Sequence, residues 1–484
     1  MAKSIIFNPN YFMKPDIGRT LIMAKYLGRQ LPISDGFETF IHPIHAVILS
    51  FMNGEDMDLS VEKVSKYLNV DNKIVFNFID KIIDNDSFIA VHSKQGISTF
   101  PPNTLISTVN NCPNGNYIPE MFIDKNVDLR SKRHATPTSI VLMVNNRCLT
   151  DCFYCYADRR KKIDCQIPLS RIKELIREAK DLNVRSFDVI GGEFFLYKEW
   201  RELLKELHEY EYYPYLSTKM PLSENDIKSL VDMGIMDLQI SLDTLIDDNL
   251  IKIINVKPTY IGKMKNTLAL LNKYKVKVFI HTVLTQLNDS IEDMISIADY
   301  IMRFDNIIEW KIDRAGSSLY LTQGYAEIKP REENIEKIKL YTSTLAEKVK
   351  FPIRCTRPII NNEIIDRNTG LSDFFNRGLC SGNYSGFFIL PDGKVTLCEE
   401  LYWMPKFILG DVLNDSLLDV WNSKNAIKMF YLSQDDFPKD SLCSSCEEFI
   451  GCRSVRQICW KETIKQFGKD KWYYPDVNCP KLLD

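Results

Sequence analysis

The chain of 484 residues is poor in histidine, has no excess of either charge and has no long apolar run. It contains 6 histidines, none of them after His281. Its 61 Lys and Arg nearly balance 64 Asp and Glu, which argues against a nucleic acid partner. The apolar run at 140–144 is far too short to span a bilayer, and the first residues lack the apolar core of a signal peptide. We therefore expect a cytoplasmic protein with no membrane partner.

Cysteine is the residue type present in excess. The chain has 13, an odd number, and a cytosolic location would keep them reduced, so a disulfide framework is not expected. Seven lie between Cys380 and Cys479, where histidine is absent. A metal site in that stretch must use thiolates alone or nearly so, which suits iron–sulfur clusters or structural zinc.

Residues 1–95 are predicted to form a small domain. A hairpin of Ser4–Phe7 with Arg19–Ala24, three helices and a strand at Phe88–Val91 give a winged-helix-like plan. Acidic side chains outnumber basic ones around the third helix: Asp71, Asp80, Asp84 and Asp86 against Lys73 and Lys81. That surface would repel phosphate. An exposed hairpin edge could accept an extended peptide, and a plain packing domain is the alternative.

The two segments that follow differ sharply in composition. Residues 96–137 are rich in Pro, Asn and Gly, which predicts a linker. Residues 138–345 alternate strand and helix, with a helix at Leu169–Leu182 and another that begins after Ser223 and ends at Gly234. The predicted strands are Ser139–Asn145, Ser186–Gly191, Tyr212–Ser217, Ile235–Leu242, Val276–Leu284 and Ile307–Arg314. Six β-α units predict an α/β fold with a parallel sheet, which forms a partial barrel if it curls. Active residues should then follow the strand ends.

A cysteine loop, NNRCLTDCFYCYADR, directly follows the first of these strands. Cys148, Cys152 and Cys155 could hold three irons of a 4Fe–4S cube and leave the fourth iron open to a small ligand. Zinc is the alternative, but it would need a fourth protein ligand, and the nearest histidine, His134, lies before the strand.

The loop resembles the radical S-adenosylmethionine (SAM) signature, in which an aromatic residue, here Tyr154, precedes the third cysteine. The resemblance implies that SAM binds the open iron and is cleaved to methionine and a 5′-deoxyadenosyl radical. Further cofactor-binding positions are implied at the strand ends: Gly191, Gly192, Glu193, Ser217, Ser241, Asp243 and Arg314. Phe194 stands where the family usually has proline. Ser217, Arg314 and Asn288, after the fifth strand, could equally be structural.

Residues 346–484 resemble the SPASM extension of radical SAM enzymes, which holds two auxiliary 4Fe–4S clusters. By position, Cys443, Cys446, Cys452 and Cys479 would hold the second and Cys380, Cys398 and Cys459 the first. The gap between Cys452 and Cys459 is wider than the family pattern. Because two full clusters need eight ligands, either one iron is open or Cys355 is the eighth. A zinc ribbon is the alternative, and Cys112 and Cys165 are expected to be small buried residues.

The first domain is similar in element order to the peptide recognition element of maturases that act on ribosomally made, post-translationally modified peptides (RiPPs). The whole pattern implies a radical SAM/SPASM maturase that crosslinks a precursor peptide bearing a leader, with a flavodoxin- or ferredoxin-type electron donor. A cysteine thioether is the preferred product. A carbon–carbon crosslink and formylglycine formation on a sulfatase are alternatives, and a zinc-binding winged-helix regulator is a different class. No catalytic acid or base stands out in the sequence.

Overall fold

The computed structural model describes residues 4–25, 37–108, 117–158, 162–321, 324–355, 374, 377, 379–402, 404–453 and 458–482. The chain divides into two compact units. The first comprises Met1–Thr138 with Asn183–Ser186, and the second comprises Ser139–Leu182 with Phe187–Asp484.

The first unit contains three helices within a framework of short strands. Its elements are β1 (Ser4–Phe7), β2 (Tyr11–Asp16), β3 (Arg19–Ala24), β4 (Glu38–Ile41), α1 (Pro43–Ser50), β5 (Asn53–Asp56), α2 (Met57–Leu68), α3 (Asn72–Ile82), β6 (Ile89–Ser93), β7 (Gly96–Phe100) and β8 (Leu105–Thr108). The three helices are followed by the β6–β7 hairpin, which is the order of a winged helix.

Two expectations for this unit are wrong in detail. The hairpin partner of β3 is β2, because the tight turn at Ile17–Gly18, where Gly18 has φ +73°, pairs Asp16 with Arg19. β1 pairs instead with β5 and β8. The predicted linker at 96–137 begins too early, since β7 and β8 are strands. Phe100 and Leu105, both fully buried, explain this because they complete the core of the unit.

The second unit alternates strands and helices in the predicted order. Its elements are β9 (Ser139–Met143), α4 (Leu169–Asp181), β10 (Ser186–Ile190), α5 (Trp200–Glu209), β11 (Ser217–Thr218), α6 (Glu224–Asp232), β12 (Asp237–Ser241), α7 (Asp247–Ile254), α8 (Thr259–Lys273), β13 (Lys277–Leu284), α9 (Ile291–Ile301), β14 (Ile307–Arg314), α10 (Tyr325–Ile328), α11 (Glu332–Ala346), β15 (Ile353–Cys355), β16 (Gly386–Ile389), β17 (Lys394–Thr396), β18 (Ile408–Asp411), α12 (Leu417–Trp421), α13 (Lys424–Phe430), α14 (Phe449–Arg453) and α15 (Trp460–Phe467). Ser223 caps α6 in a capping box with Asp226, as the sequence predicts.

The strands form two five-stranded sheets, ordered β10-β9-β16-β17-β18 and β11-β12-β13-β14-β15. The ladders from β11 to β15 are parallel, which confirms the α/β class. β11 is shorter than predicted because Pro214 has no amide to donate to a ladder. β15 extends the second sheet, so the predicted boundary at residue 345 is too early. β16, from the cysteine-rich part, pairs in parallel with β9, and Gly386 lies opposite Ser139.

Candidate active site

The cysteine loop after β9 is anchored by the end of a helix. The amides of Asp151 and Phe153 donate to the carbonyls of Ile254 and Ile253, at 2.9 and 3.1 Å. These carbonyls belong to the last turn of α7, where helical hydrogen-bond partners run out. The loop is therefore fixed by an element of the barrel as well as by its own residues.

The two glycines after β10 pack against the base of this loop. The amides of Gly192 and Glu193 donate to the carbonyls of Asn145 and Arg147, at 2.9 and 2.7 Å. A Cβ at Gly192 would lie 2.3 Å from the Arg147 carbonyl oxygen, and one at Gly191 would lie 3.2 Å from that of Asn145. Glycine is therefore required at 192 for the two loops to meet.

Glu193 is turned toward the next loop of the protein. Its carboxylate accepts hydrogen bonds from the amides of Phe195 and Lys219, each at 3.2 Å. Burial raises the pKa of this carboxyl group, and hydrogen bonds, including one with Thr218, oppose the shift. Glu193 thus positions the loop after β11, a role the sequence did not reveal.

Two of the three thiols in the loop share a hydroxyl neighbour. Thr150 Oγ1 lies 3.3 Å from Cys148 Sγ and 3.4 Å from Cys152 Sγ. Burial raises the pKa of Cys152 to about 12, although Lys219 acts in the opposite direction. A thiol in this position becomes a thiolate only when a strong local positive charge, such as a metal, compensates.

Tyr154 belongs to a buried polar network on the third and fourth strand ends. Its hydroxyl donates to Asp243 Oδ2 at 2.7 Å, and Lys219 Nζ donates to the same oxygen at 3.0 Å. The Val283 amide donates to Asp243 Oδ1 at 3.1 Å. Burial raises the pKa of Tyr154, which keeps the phenol protonated as a donor. Sequence reasoning missed Lys219, although its place directly after β11 was a usable signal.

The other predicted cofactor residues occupy different surroundings. Ser217 and Ser241 share one face of the sheet, since Ser217 lies opposite Gln239, which donates to Ser241 Oγ at 2.8 Å. Asn288 is fully buried, and its side chain bonds to the Asp243 and Val283 carbonyls and to Thr285. Asn288 therefore has a structural role in the loop.

Arg314 lies at the end of β14 and donates from Nη1 to Glu332 Oε1 at 2.8 Å. Its Nε is buried and has no hydrogen-bond partner in the described part of the chain. The guanidinium therefore retains a donor that the described protein atoms do not satisfy.

The cysteines after residue 380 fall into two sets. Burial raises the pKa of Cys398 to about 12 and of Cys459 to about 11, and the thiol of Cys380 adds to both shifts. Burial likewise raises the pKa of Cys479 to about 11, with added contributions from the thiols of its own set: Cys443, Cys452 and Cys446. Cys380 is thus within electrostatic range of Cys398 and Cys459, and Cys479 is within range of Cys443, Cys446 and Cys452. The assignment of each set to one cluster stays a prediction.

Two arginines and a glutamine surround the set of four thiols. Arg453 Nη2 lies 3.4 Å from Cys443 Sγ, and Arg377 Nη2 lies 3.4 Å from Cys452 Sγ. Gln434 Nε2 donates to the carbonyls of Cys443 and Cys446, at 3.1 and 2.9 Å. Cationic donors at this distance stabilise thiolates.

Three cysteines lie elsewhere. Cys355 is in β15, where burial raises its pKa and its charged neighbours are barrel residues: Lys339, Arg314, Asp313 and Glu336. Cys165 is partly exposed, and its thiol donates to the Ile167 carbonyl at 3.5 Å. Cys112 lies outside the described residues.

Comparison with known families agrees with this arrangement. Residues 142–301 match the model described as the radical SAM superfamily, and residues 380–447 match that of the SPASM iron–sulfur cluster-binding domain. The chain is a radical SAM enzyme with a SPASM domain. The matched radical SAM region begins within β9 and contains the cysteine loop and the strands from β10 to β13. Cys380, Cys398, Cys443 and Cys446 lie in the matched SPASM region.

Curated relatives match different fractions of this enzyme's sequence. A probable GTP 3′,8-cyclase of Archaeoglobus fulgidus is 32% identical over 22% of the chain, a match that spans 36% of that relative. A PqqA peptide cyclase of Rhizobium meliloti is 24% identical over 66% of the chain and 82% of that protein. The sporulation killing factor maturation protein SkfB of Bacillus subtilis is 22% identical over 60% of the chain and 67% of that protein.

Among solved structures, SuiB of Streptococcus suis has the same fold. Its crystal structure bound to the precursor peptide SuiA superposes with a TM-score of 0.62 at 17% identity. The superposition covers 98% of this chain and 99% of SuiB. Within the described residues of the present enzyme, no helix is long and apolar enough to cross a membrane.

The cysteine thiols and the polar side chains beside them fit iron–sulfur clusters and SAM. In the part of the chain that the structure describes, no three His, Cys, Asp or Glu side chains converge on a point where one metal ion could be bound. A cube binds each thiolate through a different iron atom, so three thiols can hold a cluster, whereas one structural zinc ion needs four ligands. When bound, the cluster supplies the electron that cleaves SAM. Cys148, Cys152 and Cys155 would hold it, and Asp243 and Lys219 lie within electrostatic range of Cys152.

Proposed function

We propose that this enzyme is a maturase that modifies a ribosomally made precursor peptide through a 5′-deoxyadenosyl radical. The observation that carries the proposal is the pair of thiol sets, Cys380–Cys398–Cys459 and Cys443–Cys446–Cys452–Cys479, in a radical SAM chain that also has a separate N-terminal unit. The fold of SuiB, a protein solved with its precursor peptide, covers nearly the whole chain.

The extent of the sequence matches favours a peptide substrate over a nucleotide. The match to the PqqA peptide cyclase extends over 66% of the chain, whereas two matches to probable GTP 3′,8-cyclases cover 22% and 47%. A match of 22% is no longer than the shared radical SAM region alone. The match to the PqqA peptide cyclase adds residues outside that region.

In this proposal three 4Fe–4S clusters are bound, one by the cysteine loop and one by each thiol set of the SPASM domain. The set of four can saturate a cube, and the set of three leaves one iron open. Tyr154, Gly191, Gly192, Glu193, Ser217, Ser241, Asp243 and Arg314 form or support the SAM site. Glu193 and the two glycines act by shaping the loops, since their contacts are with protein.

The open iron makes a cysteine thioether the preferred product, because a peptide thiolate could bind there before the bond closes. A carbon–carbon crosslink needs no open iron and is the alternative. Formylglycine formation fits less well, because the N-terminal unit would then have no peptide leader to bind. That unit holds the leader by adding a strand to one of its sheets, and a flavodoxin- or ferredoxin-type protein supplies electrons.

The proposal is tested by searching the reading frames next to the gene for a short cysteine-containing precursor peptide and by giving that peptide, made synthetically, to the enzyme. The anaerobically reconstituted enzyme, given SAM and dithionite, should release 5′-deoxyadenosine and return a peptide lighter by the hydrogens lost. A thioether removes one cysteine from alkylation by iodoacetamide, whereas a carbon–carbon crosslink leaves it reactive.

The matched variants are Cys152→Ala and Cys165→Ala. The first should abolish 5′-deoxyadenosine formation, and the second should leave it unchanged because Cys165 lies outside every thiol set. An unmodified peptide beside active SAM cleavage would show that the substrate class is wrong.

A further inference from the structure

The sheet β11–β15 has one apolar and one polar face. On the apolar face, residues are at most 1% exposed: Leu238, Ile240, Val278, Ile280, Trp310 and Ile312. The alternate positions carry mostly polar side chains, with Phe279 and Val283 among them: Gln239, Ser241, His281, Glu309, Lys311 and Asp313. Charged and polar groups inside a barrel must be paired or face a polar ligand, because burying them alone is costly. This polar face is the barrel interior that a substrate would meet.

His281 is held at one ring nitrogen and open at the other. Its Nε2 lies 2.9 Å from Asp313 Oδ2, and Lys311 Nζ lies 2.7 Å from the same oxygen. Because an ionised carboxylate only accepts hydrogen bonds, the contact with Asp313 requires a proton on Nε2, so the neutral form of the ring that it selects carries the lone pair on Nδ1. In the described residues Nδ1 has no hydrogen-bond partner, and the side chain is 25% exposed. This is the geometry of an oriented proton acceptor.

The position of His281 places it next to the expected cofactor. His281 lies opposite Ser241 in the β12–β13 ladder, so the two are about 4.8 Å apart across the strands. Ser241 and Asp243 are proposed SAM contacts at the end of β12. The charged groups that face His281 are Asp313 and Lys311 of β14, while β12 presents neutral Ser241. Glu309 and Arg354 pair with each other farther along the sheet, at 3.4 Å.

Bond formation in the proposed reaction leaves a proton to be removed. Once the deoxyadenosyl radical has taken a hydrogen atom from a substrate carbon, coupling of that carbon with a second group X–H forms C–X and releases one proton and one electron. The electron goes to an oxidised iron–sulfur cluster of the SPASM domain. The proton needs a base beside the reacting carbon.

We propose that His281 Nδ1 accepts this proton and that Asp313 is the positioning residue that holds the ring. The inference rests on the proposed function. Loss of His281 should leave radical formation intact and uncouple it from product formation, because hydrogen abstraction precedes the proton transfer.

The test compares His281→Gln with the unaltered enzyme on the synthetic precursor peptide that the search of neighbouring reading frames identifies. The variant should bind the peptide with unchanged fluorescence anisotropy and still form 5′-deoxyadenosine. The ratio of modified peptide to 5′-deoxyadenosine should fall about tenfold or more. Asp313→Asn should lower the ratio as well, since an amide no longer fixes the proton on Nε2. His208→Gln is the matched control, because His208 bonds the Met233 carbonyl away from the polar face.

A second measurement needs no turnover. Diethyl pyrocarbonate should label His281 in the reconstituted enzyme, and saturating peptide should protect it, as mapped by mass spectrometry. An unaltered ratio in His281→Gln, or an unlabelled His281, would overturn the inference while the proposed function stands. If His281→Gln fails to fold, the product ratio of Asp313→Asn and the labelling of His281 in the unaltered enzyme test the inference instead. Failure of the unaltered enzyme to modify the peptide would overturn both proposals.

Discussion

Single side chains in this enzyme show how a few buried charges define a site. Asp243 is almost fully buried and is neutralised by Lys219, and both lie at ends of neighbouring strands. Removing one partner of a buried pair leaves an uncompensated charge, which costs about 3–5 kcal/mol. The pair is therefore both structural and available to orient a cofactor.

Lys219→Met should lower the melting temperature and the rate of 5′-deoxyadenosine formation, because the Asp243 carboxylate loses its cation. The double variant Lys219→Met/Asp243→Asn should recover stability without recovering SAM cleavage. Lys205→Met is the control, since that side chain is 73% exposed and makes only a long ion pair. Equal melting temperatures for Lys219→Met and Lys205→Met would contradict the assigned pairing.

Lys14 should make the stability of the first unit depend on pH. Burial lowers its pKa to about 7, although Asp16 and Glu38 oppose the shift. Between pH 7 and the ordinary lysine pKa the unfolded chain binds more protons, so stability should rise with pH across that window, by at most about 1.4 kcal/mol per pH unit. The thermal stability of Lys14→Met should not rise with pH in this window, whereas that of Lys66→Met, which alters an exposed lysine, should still rise. A parallel pH dependence in Lys14→Met would refute the assignment.

For single residues, the sequence indicates which side chains are candidates for the site better than it indicates what each of them contacts. The sequence singles out Tyr154 in the cysteine loop and Asp243 at a strand end, and the structure joins them by a hydrogen bond. Their role in binding the cofactor stays a prediction. Lys219 and His281 are missed, since a lysine or histidine beside a strand has no local signature. Their roles depend on which strand lies alongside, which is a tertiary property.

Among elements, the ladder between β9 and β16 unites the radical SAM core with the SPASM domain. Gly386 lies opposite Ser139, and a Cβ there would be 2.2 Å from Ser139 Oγ and 2.5 Å from its carbonyl oxygen. No flexible side-chain tip can absorb the second of these contacts. The ladder therefore depends on one glycine.

Gly386→Ala should destabilise the second unit by about 1–3 kcal/mol, as overpacking does. Gly262→Ala, in the first turn of α8 with open space around it, should instead stabilise by up to about 1 kcal/mol. Chemical unfolding of the two variants measures the contrast. A Gly386→Ala chain as stable as the parent would show that the strands can separate freely.

Periodicity predicts the elements of the barrel well and those of the first unit less well. Long amphipathic helices such as α4 and alternating strands such as β13 carry their own pattern. Short strands do not. β7 and β8 lie in a segment rich in turn residues. β7 forms a hairpin with the neighbouring β6, and β8 forms because the distant β1 is available to pair with it.

For the whole molecule, metal content distinguishes the cluster assignments. Three cubes predict about 12 iron and 12 sulfide per chain. Cys479→Ala should lower iron by about four or leave a labile cluster, because it removes one of the four thiols of its set. Cys355→Ala should leave iron unchanged, because Cys355 lies among barrel residues. Loss of iron in Cys355→Ala would make that thiol the eighth ligand.

The pairing of β9 with β16 also bears on how the enzyme is made. Its partners are separated by almost 250 residues, so β9 presents an unpaired edge until 386–389 leave the ribosome. At ordinary translation rates that interval is roughly 10–50 s. Nascent chains should therefore need a chaperone to cover this edge during the interval. Slowing synthesis should reduce the yield of active enzyme more than delaying the iron supply after synthesis is complete.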